Sequence, residues 1–314
     1  MFDVDLPAGL VPADAKARAA ATVCFLEGPA WHSSGDLYFS DISGNRILTL
    51  SPAGLVSVFR ADSGRTNGNT FDGQGRLISC EGAEFGPGGR RRIVRTDVGT
   101  GQVEVLTDRY EGKRYNAPND VCVDTRGRIW FTDPYYWTDH DSLEMGCEAV
   151  YMIDGTQVRR VLSQPQIGRP NGLAITPDNK TLYVIDSHNV AGGNRKIWAF
   201  DVADDGTLSG QRLVFDFGRG RGGDGMRLDR QGNLWVAAGL LKVRNPHETL
   251  DVTTGIHVIS PAGKLLGRIP IPEDTLTNLT FGGPDFKTLY VTSGKTVFRI
   301  EVEVSGYSLW PPLG

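Results

Sequence analysis

The sequence predicts an all-β protein, a six-bladed β-propeller with four-stranded blades. The main observation is a phrase of fifteen or sixteen residues that recurs six times along the 314 residues, each time as a strand, a tight turn and a second strand. The second observation is that further strand-like segments separate the copies. The third is a content of 40 glycines, well above the usual share of about 7% and typical of many tight turns.

The six phrases set the order of the blades. Their first residues are Glu27, Asn67, Asn119, Asn171, Asp224 and Asn278, and successive starts are 40 to 54 residues apart. In four phrases a turn glycine lies eight residues after the start, at Gly35, Gly75, Gly127 and Gly232. The other two turn at Asn179 and Phe286 and carry one extra residue before the second strand. A unit of this length that begins with a β-hairpin has the size of one propeller blade.

The segments between the phrases supply the outer strands. Stretches such as RILTLSPAGLVSVF, AVYMIDGTQVRRVL and GIHVISPAGKLLGRIPI read as two strands joined by a glycine-containing turn. The last unit ends after one strong strand at 297–302, so segment 18–25 is expected to supply its missing outer strand. No change in composition divides the chain, and we expect a single domain over 1–314, with 1–16 as an N-terminal extension. The one weak helix candidate is 13–21.

Composition excludes several functional classes. A net charge of −4 and a pI near 5.8 give no general attraction to nucleic acid or to an anionic membrane. The basic runs 90–92 and 218–226 are predicted to be solvent-exposed loops. No apolar stretch is long enough to span a membrane, and the N-terminus lacks the pattern of a signal peptide. The four cysteines show no metal-binding or redox spacing. We therefore expect a cytoplasmic protein that binds a small molecule and neither nucleic acid nor membrane; the oligomeric state stays open.

The first residues of the six phrases are all carboxylates or amides. In a propeller the innermost strands run along the central channel, so these six positions should meet near its axis. Facing carboxylates would repel each other unless a cation lay between them. Oxygen donors without Cys or His favour Ca²⁺, with Mg²⁺, Mn²⁺, Zn²⁺ and Fe²⁺ as alternatives. A wet polar axis, or a purely structural ion, is the alternative interpretation.

A second set of acids ends the second strand of several phrases. Its members are Asp41, Glu81, Asp133 and Asp186. Some are expected to fix loops by accepting backbone N–H groups, and one is a candidate base.

Six motifs in order resemble the SMP-30/gluconolactonase/luciferin-regenerating enzyme family over nearly the whole chain. They are LEGPAW (26–31), FSDI (39–42), NGNTFDGQGRLISCE (67–81), APNDVCVDTRGRIWFTDP (117–134), PNGLAITPDNKTLYVIDS (170–187) and GDGMRLDRQGNLWVA (223–237). The resemblance implies a six-bladed propeller, a divalent metal in the channel and hydrolysis of sugar lactones. It places the metal ligands at Glu27, Asn119, Asn171 and Asp224. One departure is Ala117, where some sugar-lactone members have a substrate-binding arginine.

The expected mechanism is attack of water on a lactone carbonyl polarised by the ion. Asp224 is the predicted base, with Asp133 and Asp186 as alternatives. The predicted substrate-binding residues are Asn67, Asn278, Asp133 and Tyr136. A phosphotriesterase-like hydrolase on the same metal site and a non-catalytic calcium-binding scaffold are the alternative functions, while the absence of a Gly-x-Ser-x-Gly elbow argues against a serine hydrolase.

Overall fold

Six antiparallel sheets make up the computed structural model, which describes residues 24–83, 88–137, 143–244 and 246–311. The first sheet contains β1 (Leu26–Trp31), β2 (Leu37–Asp41), β3 (Arg46–Leu50) and β4 (Val56–Ala61). The second contains β5 (Thr66–Phe71), β6 (Leu77–Glu81), β7 (Arg92–Thr96) and β8 (Val103–Thr107). A short hairpin, β9 (Arg109–Tyr110) and β10 (Lys113–Arg114), leads to the third sheet of β11 (Val121–Val123), β12 (Ile129–Asp133), β13 (Ala149–Asp154) and β14 (Gln157–Ser163).

The second half of the chain repeats this plan. The fourth sheet contains β15 (Pro170–Ile175), β16 (Thr181–Ser187), β17 (Arg195–Val202) and β18 (Leu208–Asp216). The fifth contains β19 (Gly223–Leu228), β20 (Leu234–Ala238), β21 (Gly255–Ile259) and β22 (Leu265–Pro270). The sixth contains β23 (Asn278–Gly282), β24 (Thr288–Thr292) and β25 (Val297–Glu301). The described residues contain no helix, so the six-bladed, all-β prediction is confirmed.

The strands of each sheet follow one another in chain order, and the sheets are arranged around a closed ring. Each first strand packs against the first strand of the next sheet, and β23 packs against β1. Between the last sheet and the first, Thr277 Oγ1 donates to Leu26 O at 2.7 Å and Leu26 N donates to Gly294 O at 3.2 Å. The outer strand predicted for 18–25 and the helix predicted for 13–21 fall on residues that, up to 23, lie outside the described ones.

Apolar side chains from neighbouring sheets fill the spaces between the blades. Trp31 meets Phe286 with ring centroids 5.3 Å apart, and Trp235 meets Phe281 at 5.2 Å, both edge to face. These four rings belong to one buried cluster between the fifth, sixth and first sheets. Because every blade buries both faces, the alternation of polar and apolar residues is weak in the inner strands.

The predicted hairpin turns are present in all six sheets. The four turn glycines have φ between 76° and 92°, a left-handed conformation that favours glycine. At the two exceptions, Asn179 and Phe286 take the left-handed conformation themselves, with φ of 58° and 54°. The extra residue in these two phrases therefore lies in the hairpin turn, which differs from the glycine turn of the other four hairpins.

A buried aspartate before three of these turns organises the hairpin. Asp124 accepts the backbone N–H groups of Arg126 and Arg128, each at 2.9 Å. It also accepts Arg128 Nε at 2.6 Å and Trp130 Nε1 at 3.2 Å. Asp72 and Asp229 accept the backbone N–H groups two and four residues later in the same way. This aspartate stabilises the inner hairpins from which the channel is built.

We expect Asp124→Ala to lower the free energy of unfolding by about 3–5 kcal/mol, because it leaves the buried Arg128 guanidinium without its carboxylate. Asp178→Ala is the matched control, since Asp178 stands before the equivalent turn but is exposed. Its loss should stay near 1 kcal/mol or below. Urea denaturation of both variants measures the difference, and equal losses would contradict the assigned role of Asp124.

Candidate active site

Five of the six phrase-initial residues line a single cavity of about 360 Å³ where the inner strands begin. They are Glu27, Asn67, Asn119, Asn171 and Asp224. The sixth, Asn278, is buried and does not line the cavity. Its Nδ2 donates to Glu27 Oε2 at 3.1 Å, so Asn278 positions a cavity residue without lining the cavity itself. The structure thus places the predicted metal ligands and Asn67 around one cavity, and Asn278 is buried next to Glu27.

A β-bulge at four of these positions sets the direction of the side chain. The pairing with the second strand shifts between Glu27 and Ala30, Thr66 and Asn69, Pro170 and Leu173, and Gly223 and Met226. Bulges of this kind re-aim a side chain that would otherwise follow the pleat. Glu27, Asn67, Asn171 and Asp224 are each followed by a glycine that close packing requires: a Cβ on Gly68 would lie 2.5 Å from Asn119 O, and one on Gly172 would lie 2.4 Å from Asp224 O.

Three acids at the ends of second strands fix the segments that enter the inner strands. Asp41 accepts the N–H of Phe25 at 3.0 Å. Asp133 accepts those of Asn116 and Ala117 at 2.9 and 2.8 Å. Asp186 does the same for residues 168 and 169, each at 2.9 Å. These carboxylates position the backbone just before Glu27, Asn119 and Asn171, and Glu81 instead pairs with Arg60 and Arg92.

The predicted roles of Asp133 in substrate binding and as a base find no support in its position. Its side chain is fully buried and does not line the cavity. Burial raises its pKa to about 7, against the lowering effect of the two backbone N–H groups. Asp133 therefore anchors the loop before Asn119 rather than facing a ligand.

The two cavity carboxylates are held in an unfavourable environment. Glu27 is 3% exposed, and burial, followed by the charges of Asp224 and Asp120, raises its pKa well above the usual range. Burial also raises the pKa of Asp224, while Arg221, whose Nη2 lies 2.5 Å from Asp224 Oδ2, lowers it. Without a further positive charge, the pair repels itself at neutral pH.

Tyr136 orients the two amides. Its hydroxyl accepts a hydrogen bond from Asn171 Nδ2 at 3.0 Å and one from Asn119 Nδ2 at 3.4 Å. Burial and the nearby Asp224 raise the pKa of Tyr136 well above its usual value, so the phenol stays protonated. With each Nδ2 directed at Tyr136, each Oδ1 is left without a donor among the described residues. Tyr136, a predicted substrate-binding residue, lines the cavity.

Unpaired oxygen atoms are the chemical signature of the cavity. Asn67 Oδ1 is buried without a hydrogen-bond partner in the described part of the chain. Glu27 is bonded through Oε2, which leaves Oε1 available, whereas Asp224 is bonded by Arg221 through Oδ2 and also interacts with the Asn171 side chain. Counting the two asparagine Oδ1 atoms, four cavity oxygens have no donor among the described residues. Two carboxylates and three amides fit a hard divalent cation such as Ca²⁺. No group of three or more His, Cys, Asp or Glu side chains is placed to hold a metal ion in the described part of the chain, so the amides would have to contribute ligands.

One buried acid, Asp120, was not predicted from the sequence pattern. Asp120 follows Asn119 at the position where four of the other phrases have glycine. Its Oδ2 lies 3.4 Å from Asn278 Nδ2 and 3.5 Å from Arg227 Nη1, below the cavity floor. That break in the Asn-Gly pattern is the signal that could have identified it.

The predictions for the basic runs were wrong in part. Arg221, inside the run 218–226, is only 13% exposed at its side chain and lines the cavity, whereas Arg219 is exposed. Arg91 is also buried, and its Nε donates to Tyr115 O at 2.6 Å. The sequence of a run of arginines and glycines does not indicate which arginine side chain is buried.

Arg169 and Arg244 also line the cavity and were missed. Arg169 stands two residues before its blade's Asn171, which is the same offset at which Ala117 precedes Asn119. Ala117 itself packs in a small apolar cluster with Tyr135 and Trp137, and no described Lys or Arg of the third blade lines the cavity. The positive charge of the cavity comes from the fourth and fifth blades instead.

Comparisons with known proteins identify relatives over most of the chain. A family model described as SMP-30/Gluconolactonase/LRE-like region matches residues 25–295. A gluconolactonase of Zymomonas mobilis subsp. mobilis is 31% identical and aligns over 98% of this chain and 84% of its own length. A regucalcin of Xenopus laevis is 35% identical over 85% of this chain and 82% of its own. The solved structure of a gluconolactonase from Xanthomonas campestris is 33% identical, with a TM-score of 0.73 over 90% of this chain and 86% of that one. No helix in the described ranges is long and apolar enough to span a membrane.

Proposed function

The chain belongs to the SMP-30/gluconolactonase/LRE-like family, and on that premise we propose that it is a metal-dependent lactonase that opens a sugar lactone. The observation that carries the proposal is the set of carboxylate and amide oxygens from five blades around one cavity, four of which accept no hydrogen bond from the described residues. Support for the lactone comes from the gluconolactonases that align with most of the chain. The cavity volume of about 360 Å³ suits one small ring.

The proposed cofactor is one divalent cation, with Ca²⁺ the first choice on the basis of its oxygen donors. Glu27, Asn119, Asn171 and Asp224 would hold it, and Asn67 lies beside them. When bound, such an ion polarises a lactone carbonyl and stabilises the negative charge that develops on its oxygen. It would also offset the effects of burial and of the neighbouring carboxylates, which raise the pKa of Glu27.

Asp224 is the proposed base that takes a proton from the attacking water. Its Oδ2 is fixed by Arg221, and its carboxylate lines the cavity beside the Asn171 side chain. Asp133 and Asp186, the alternatives from the sequence, are occupied by backbone N–H groups and do not line the cavity. A base must lie within hydrogen-bond reach of the water it deprotonates. Of these three acids, Asp224 is the one that lines the cavity, which supports its proposed role.

Asn67 and Tyr136 are the proposed contacts for the hydroxyl groups of the lactone. Both line the cavity, and the unpaired Asn67 Oδ1 is an acceptor for a sugar hydroxyl when it does not contact the ion. Asn278 and Asp133 contribute indirectly, the first through Glu27 and the second through the loop before Asn119.

The proposal is tested by stripping the protein with chelator and assaying five- and six-membered lactones after return of Ca²⁺, Mg²⁺, Mn²⁺, Zn²⁺ or Fe²⁺. We expect lactone hydrolysis to disappear on stripping and to return with at least one ion, Ca²⁺ first. A phosphotriester in the same panel distinguishes the alternative hydrolase, which would turn over that substrate and no lactone. Calcium binding without turnover of either class would indicate a scaffold, and full activity after stripping would refute metal dependence.

A further inference from the structure

Three arginine side chains share the cavity with the oxygen donors, and the proposed function leaves their number unexplained. Arg169 and Arg221 precede β15 and β19, and Arg244 lies in the loop after β20. A neutral sugar lactone presents hydroxyl and ester oxygens, for which the amides of the cavity already supply partners. Full positive charges at a small-molecule site instead favour a carboxylate, sulfonate or phosphate.

Arg169 is committed to the protein. Its Nε and Nη2 donate to the two carboxylate oxygens of Glu148 at 2.9 and 3.1 Å. Its guanidinium also lies 5.3 Å from the centre of the Tyr136 ring. Arg169 therefore supports the tyrosine that orients the amides, and it is not the group that would bind an anion.

Arg221 and Arg244 keep donors available. Arg221 uses Nη2 on Asp224, while its Nη1 is buried without an acceptor in the described part of the chain. Buried donors without an acceptor are rare in folded proteins and call for a partner. Among the described residues, the Arg244 guanidinium lies 3.3 Å from Thr275 Oγ1 and 3.7 Å from Glu248 Oε1, and its side chain is 40% exposed.

Arg221 and Arg244 both line the cavity, and both belong to the fifth sheet, the first just before β19 and the second in the loop after β20. If Glu27 and Asp224 hold a dication, Arg221 must share its one carboxylate with that ion. Arg244 keeps its 3.7 Å ion pair with Glu248, so among the described residues it is the charge of Arg221 that is left without a carboxylate of its own. An anionic group on the substrate would balance it.

We propose that Arg221 and Arg244 form an anion subsite, and that the preferred substrate is a lactone with an acidic substituent away from its carbonyl. The proposal rests on the lactonase function for the reacting ring and on the two arginines for the substituent. Carboxylate, sulfonate and phosphate share the chemistry that these side chains recognise. The neutral aldonolactone is then a poorer substrate of the same site.

The test compares three substrates that differ at one carbon: glucono-δ-lactone, the same lactone phosphorylated on its primary hydroxyl, and the lactone oxidised to a carboxylate there. We expect kcat/KM for at least one acidic lactone to exceed that for the neutral lactone by about 10- to 100-fold. Arg244→Gln should reduce this ratio at least about tenfold, mainly through KM. Arg219→Gln is the matched control, because it removes the charge of an exposed arginine two residues before Arg221 and should leave the ratio unchanged.

Two outcomes would overturn the subsite: a neutral lactone preferred by the wild type, or an acidic preference that survives in Arg244→Gln. Failure of the lactonase proposal looks different, since no lactone of the panel would then turn over with any ion. In that case the anion subsite is tested by calorimetry of gluconate and of gluconate phosphorylated on its primary hydroxyl. Tighter binding of the phosphate to wild type, lost in Arg244→Gln and kept in Arg219→Gln, supports the subsite, and equal binding of the two acids refutes it.

Discussion

Replacing Asp224 by Asn is expected to lower kcat/KM for lactone hydrolysis by about 10³-fold or more while the protein stays folded. The substitution removes the proposed base, which by itself is worth about 10²–10⁴-fold, and one of two carboxylates proposed to hold the ion. The fold should persist because Asn can still offer Oδ1 to Arg221 and place Nδ2 in the cavity. Steady-state kinetics at saturating metal, with a thermal melt of each protein, measure the two quantities.

The matched control is Asp251→Asn. Asp251 is an exposed carboxylate in the connection between β20 and β21 of the same sheet, outside the cavity. Its substitution should change kcat/KM less than about threefold. If Asp224→Asn keeps more than a tenth of the wild-type activity, Asp224 is neither the base nor a required ligand. If excess metal restores activity to Asp224→Asn, its role is that of a ligand alone.

The fold and the clustering of the site residues could be predicted from the sequence, because the repeated phrase begins with a polar residue in every blade. Five polar residues that begin equivalent inner strands lie around one cavity, since a propeller brings the same position of every blade to its axis. Asn278 obeys the same pattern but stays buried, because its amide bonds Glu27 and Asp120 instead of facing the cavity. Equivalent backbone positions therefore do not guarantee equivalent access to a ligand.

The residues that periodicity could not predict come from irregular segments. Arg221 and Arg244 reach the cavity from loops, and nothing in their spacing separates them from exposed arginines such as Arg219. Asp133 presents the opposite case. It occupies a repeated position, yet only the hydrogen bonds of Asn116 and Ala117 reveal that it holds a loop. Side-chain partners, rather than position in the repeat, decide these roles.

Replacing Glu27 by Gln is expected to weaken binding of the divalent cation by at least about 100-fold, which is the upper end of the loss seen for an outer-shell partner. Gln can keep an oxygen for Gly28 N and Asn278 Nδ2, which bond Glu27 at 2.6 and 3.1 Å. The group that changes is the oxygen facing the cavity, which becomes an N–H donor. Titration of the stripped protein with Ca²⁺ by calorimetry measures the affinity directly.

The same substitution should have the opposite effect on the metal-free fold. Burial, Asp224 and Asp120 raise the pKa of Glu27, so its ionisation at neutral pH costs stability that neutral Gln does not lose. We therefore expect the stripped Glu27→Gln variant to melt about 2 °C or more above the stripped wild type. Added Ca²⁺ should raise the melting temperature of the wild type by about 3 °C or more and leave the variant nearly unchanged. Glu104→Gln, on the exposed edge strand β8, should melt like the wild type in both states. A stripped Glu27→Gln protein that melts below the stripped wild type, yet still responds to Ca²⁺, would show that Glu27 stabilises the ring of blades and does not hold a cation.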